Sequence, residues 1–153
     1  LQKNRMSTKS ACLLIAGSYR SMLNVADQYA MDSFKYRRAI EIKTYTDAIT
    51  VEETETDVQV PGMLKTSWVL NSLGTLQTNL DIIRNDESVW KAAKKDRLDL
   101  IIEYEGSIED SFAAETETFA LYAKRRQLEE RLKATIGTVV SSAASAAGAY
   151  FLK

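Results

Sequence analysis

Apolar positions in the first third of the chain fall on helical spacings. Ile15, Met22, Tyr29 and Tyr36 repeat every seven residues, and Tyr19, Ala26, Ser33 and Ile40 each follow four positions later. This near-heptad pattern predicts a helix over 10–48 with a coiled-coil-like seam softened by Ala and Ser. The "GSYRS" that begins at Gly17 lies inside the pattern and weakens it locally. The period then changes. In "ITVEETETDVQVPG", 49–62, Thr54, Thr56, Val58 and Val60 alternate, and the only proline stands beside Gly62. A short strand or extended connector is expected there. Helical spacing resumes over 64–105, where Leu73, Leu76, Leu80 and Ile83 form a second seam. "RNDES", 84–88, interrupts it, with Asp86 placed to cap a fresh segment from Glu87. "EG" at 105–106 allows a bend, and Ser107 or Asp110 can cap a third helix over 107–133, which carries Ile108, Phe112, Phe119 and Tyr122.

The last segment, 134–152, has nineteen residues without a formal charge. That approaches the length of a bilayer span, yet its few large apolar residues are diluted by Ser, Thr and Ala. Gly137, Ser141, Ser145 and Ala149 fall four apart, so one helix face carries only small side chains. Such a face lets helix backbones approach closely, in a membrane or in a tight soluble bundle. "ACLLIAG", 11–17, is apolar but too short to cross a bilayer.

The expected fold is therefore all-α: about three long helices plus a small-residue carboxyl-terminal helix, in one domain over 1–153. The stripes are narrow and the helices long, so the chain is expected to assemble as a homo-oligomer. Ile15, Tyr19, Met22, Tyr29, Tyr36, Leu73, Leu76, Leu80 and Ile83 are the candidate oligomer-interface residues. Gly137, Ser141, Ser145 and Ala149 are the candidates for close helix packing or membrane association.

Composition narrows the chemistry. The chain has no histidine, which removes the commonest general base and zinc ligand. The lone Cys12 has no partner for an internal disulfide and sits in an apolar run, so a buried packing role is expected. Glu52, Glu53, Glu55 and Asp57 read as solvated carboxylates; no calcium-type loop surrounds them. A net charge of −1 gives no reason to expect nucleic-acid binding, and the basic clusters at 36–38 and 123–127 read as solvated helix faces. No catalytic residue, cofactor or metal is assigned.

The layout nonetheless resembles a known family. An apolar small-residue amino segment leads into "YRRAIEIKTYTDA", 36–48; a long polar helical middle follows; a charged helix then runs into "GTVVSSAASAAGAYF", 137–151. This resembles the small internal virion (ejection, or inner-core) proteins of short-tailed, T7-like bacteriophages. The resemblance implies a non-enzymatic protein stored in the capsid core above the portal, with other core proteins as partners. It also implies exit at infection, contact with the host outer membrane, and a share in a conduit through which DNA passes without sequence-specific binding. The alternative is a helical structural or adaptor subunit of a phage tail, portal or secretion apparatus, with no membrane role.

Overall fold

The computed structural model describes the backbone of residues 2–56 and 62–151, and the side chains of 4–51 and 67–137. Three helices account for all the described residues except 114–118: α1 (Gln2–Thr56), α2 (Gly62–Ala113) and α3 (Phe119–Phe151). Cross-helix pairs fix their directions. Arg20 meets Glu105, Asp27 meets Lys94 and Arg37 meets Asp86, so α1 and α2 are antiparallel. A short turn then reverses the chain into α3, which packs against both.

The inner seam of α1 is a continuous 3–4 spacing: Cys12, Ala16, Tyr19, Leu23, Ala26, Ala30 and Ser33, all buried except the partly buried Tyr19. Its small members let the neighbouring helices come close. On α2 the matching positions recur every seven residues as Ile83, Trp90, Arg97, Tyr104 and Ser111, interleaved with Leu80, Glu87, Lys94, Ile101 and Ile108. Together with Leu128, Leu132 and Ile136 of α3, the lower parts of both seams make the main core. A smaller cluster of Ala30, Phe34 and Ile83 sits higher between α1 and α2, and Trp90 packs against both clusters.

Helix ends differ from the sequence expectation in three places. α1 continues through 49–56, where an extended connector was expected. Leading into this stretch the Thr hydroxyls are spent within the helix, Thr46 donating to the Ile42 carbonyl at 2.9 Å and Thr50 to the Thr46 carbonyl at 3.0 Å. The rest of the expected connector, 57–61, lies outside the described residues. α2 runs unbroken through 84–88, because its heptad continues beneath a charged surface. Asp86 and Glu87 are held by Arg37 and Arg38 at 2.8 and 2.7 Å across the helix pair, so Asp86 caps nothing.

Nor does α2 end at 105–106. Gly106 is an exposed helical residue, and Ser107 bonds back to the Tyr104 carbonyl at 2.6 Å rather than capping a new helix. The chain turns at 114–118 instead. There Thr118 caps α3, its hydroxyl accepting the Leu121 N–H at 3.2 Å. Arg5 caps the other side: its guanidinium donates to the carbonyls of Ser111 (2.7 Å), Ala114 (2.6 Å) and Glu115, and lies 5.5 Å from the Phe112 ring centre. The amino end of α1 thus satisfies one carbonyl in the last turn of α2 and two in the turn that follows it.

Candidate functional site

Two features stand out from ordinary helix packing: a buried ionic network where the three helices meet, and an apolar face of α1 that no described helix covers.

The network is centred on Arg125 of α3, whose side chain is only 5% exposed. Its guanidinium forms a fork with the Glu117 carboxylate (3.1 and 3.3 Å), donates to Glu129 at 3.2 Å, and lies 3.2 Å from Cys12 Sγ. Its plane is also near the Phe112 and Tyr122 rings, at 5.6 and 5.4 Å from their centres. Glu129 collects further donors: the Tyr104 hydroxyl at 2.9 Å and the Arg126 guanidinium. Burial, followed by the hydrogen bond to Glu129, raises the Tyr104 hydroxyl well above its ordinary value, so it stays protonated as a donor. Each helix contributes: Cys12 from α1, Tyr104 from α2, Arg125 and Glu129 from α3.

This arrangement locks the three helices together. Cys12 is 3% exposed, which denies a substrate access to its sulfur. Every group around it is already engaged by another protein group. No cluster of three or more metal-ligating side chains occurs among the described residues.

The network and the inter-helix pairs above it give the fold an acid limit. Burial pushes the Glu117 carboxyl upward, but Arg125 more than offsets this and holds it below the usual range. Burial likewise raises Asp27, and the Lys94 ammonium and Trp90 N–H, each at 2.8 Å, overcome it. Glu87 follows the same pattern, with Arg38 and Lys91 opposing burial. A carboxyl whose folded value is depressed stabilises the fold above its unfolded value, and that contribution is lost as pH falls through the folded one. Stability measured by urea melts should therefore be level from neutral pH down to about 5 and decline below about 4. A transition midpoint that rose on acidification through that range would contradict these pairings.

The exposed face of α1 comes from a second 3–4 spacing displaced by one residue from the inner seam: Ala11, Ile15, Ser18, Met22, Val25 and Tyr29, continuing to Tyr36 and Ile40. Met22 is 42% exposed, Val25 53% and Tyr29 50%. Between Ser10 and Met31 the only charged residues are Arg20 and Asp27, and both are paired with α2. The solvent side of this stretch thus carries no charge. Near its upper end, a groove between α1 and α2 is lined by Tyr36, Ile40, Ile82 and Ile83.

The sequence-derived interface residues divide accordingly. Ile15, Met22 and Tyr29 lie on the uncovered face, Tyr36 lines the groove between α1 and α2, and Leu73 is also exposed. Tyr19 packs on the main core, Leu80 on the smaller cluster, and Ile83 is 3% exposed within it, so these three are engaged inside the chain. Leu76 is half-buried beside the α1–α2 groove. Of the small-residue positions, Gly137 is exposed in α3, and a side chain there would meet nothing within 4 Å. The α3 backbone includes Ser141, Ser145 and Ala149, whose side chains lie outside the described residues.

Sequence reasoning took the basic clusters as solvated faces, whereas Arg37, Arg38 and Arg125 all form inter-element ion pairs. The signal was available. Glu87 and Lys94 occupy heptad positions of α2 that face α1, and opposite charges of α1 lie at matching levels. Comparison with protein-family models, curated proteins and solved structures finds no match for this chain.

Proposed function

We propose that this chain is a non-catalytic helical assembly subunit, acting as an internal virion protein of the ejection type. In this role it is stored in the capsid above the portal with other core proteins. It leaves at infection and joins a conduit that carries DNA across the host envelope. One observation carries the assembly role: a long α1 face with exposed Ile15, Met22, Val25 and Tyr29 and no solvent-side charge, while polar groups of the interior are spent on holding the three helices together. Uncovered apolar faces of this kind mark association surfaces. The ejection role rests on the order of segments and on the "SSAASAAGAYF" run, 141–151, at the end of α3.

A second reading has its own support. An adaptor subunit that works without lipid would use the same exposed α1 face for association, and no helix among the described residues is long and apolar enough to cross a membrane. Flotation with vesicles of mixed zwitterionic and anionic lipid separates the two. The ejection reading expects the full chain to float with vesicles and a variant lacking residues 138–152, which keeps the core residue Ile136, to stay at the bottom. Native mass spectrometry of the lipid-free chain should show multimers under either reading. A chain that neither floats nor multimerises would end both.

A further inference from the structure

We infer that the outer seam of α1 is the docking site for the same seam of a second copy, the two helices running antiparallel about a two-fold axis. The inference rests on the proposed assembly role and adds to it the partner, the orientation and the register.

The spacing calls for a helix as occupant. Inner and outer seams are offset by one residue, which turns them about 100° apart around α1. The inner seam faces α2 and α3, so the outer seam points past them. Its 3–4 repeat from Ala11 to Tyr29 is the pattern that a neighbouring helix reads as successive knobs and holes, and the small Ala11 and Ser18 within it offer a lipid surface little apolar bulk.

The side chains then select a copy of this chain. In an antiparallel pairing whose sequence numbers sum to 40, Ala11 lies opposite the second copy's Tyr29, Ile15 opposite its Val25, and Ser18 opposite its Met22. The two-fold axis repeats each pair. The smallest members of the seam therefore meet its largest ones, and the two intermediate residues meet each other. A parallel pairing in register would set Tyr29 on Tyr29 and leave Ala11 beside Ala11.

Charge selects the same orientation. Asp32 is the only charged residue on the seam between Ala11 and Tyr36. Parallel pairing would stack Asp32 on its own copy, a like-charge contact. Antiparallel pairing instead carries the two Asp32 side chains to opposite ends of the contact, each beside the second copy's Thr8. The contact from Thr8 to Asp32 spans roughly 36 Å at 1.5 Å per residue. The participating side chains are exposed in the isolated chain, so docking requires no rearrangement of the core.

Sedimentation equilibrium on the full chain tests this, with circular dichroism confirming the fold of each variant. Wild type should dimerise below about 100 μM, and Ala11→Tyr or Tyr29→Ala should each weaken association by about tenfold or more. The double variant, Ala11→Tyr with Tyr29→Ala, exchanges the large and small partners in every layer where they meet. It should return to within about threefold of wild type. If the single changes weaken association but the double does not recover, the antiparallel register is wrong while the assembly role stands. If neither single change weakens it, the seam is not the contact. A wild type that stays monomeric removes the inference together with the assembly role.

Discussion

Replacing Arg125 with Met should lower the stability of the folded chain by about 3–5 kcal/mol, as expected when one partner of a buried ionic network is removed. For a chain of this size that corresponds to a fall in melting temperature of roughly 6–20 °C. Methionine keeps much of the apolar stem that packs near Phe112 and Tyr122, so the loss reports on charge. Glu117 suffers most, because Arg125 supplies both of its forked contacts. Glu129 retains Tyr104 and Arg126. A second variant separates charge from packing. Adding Glu117→Gln and Glu129→Gln to Arg125→Met removes the stranded carboxylates and should recover a substantial part of the lost stability. If the triple variant is less stable than Arg125→Met alone, the network stabilises through the shape of its side chains and the electrostatic account fails.

That network also shows why parts of the fold were legible and others were not. Helical periodicity in the three long segments was plain, because Pro and Gly are scarce and apolar residues recur at 3–4 spacings. The boundaries misled. "RNDES" at 84–88 has the composition of a break, but the residues that make it polar are bound by Arg37 and Arg38 some fifty positions earlier. Local propensity cannot register a partner on another helix. At 49–56 the alternation of Thr54 and Thr56 with Val58 and Val60 favours a strand, yet the backbone through Thr56 continues the long helix that precedes it. The turn at 114–118 was invisible for the opposite reason: "AETET" contains no Gly or Pro, and Arg5, from the far end of the chain, satisfies the carbonyls that the turn exposes. Of the candidate site, the stripe of Ile15, Met22, Tyr29 and Tyr36 was legible as a seam. What the pattern hid was that its companions four residues later, Tyr19, Ala26 and Ser33, belong to a different one.

Two adjacent residues test that separation of seams. Leu23 is 1% exposed and packs in the main core, while Met22 points to the uncovered face. Truncating a buried leucine removes its transfer free energy and leaves a cavity that the helices only partly close, so Leu23→Ala should cost about 2–5 kcal/mol. Met22→Ala removes a side chain of similar size from solvent and should change monomer stability by no more than about 0.5 kcal/mol. Urea melts at low protein concentration keep association out of the comparison, since any docking of copies would add its own contribution at Met22. The two variants should also diverge in sedimentation: Met22→Ala weakens self-association with its melt unchanged, whereas Leu23→Ala lowers the melt first. Equal destabilisation by the two would mean that α1 is rotated about its axis by half the angle between the seams. The inner face would then be shared by Met22 and Leu23, and the outer seam would lose its standing as a free surface.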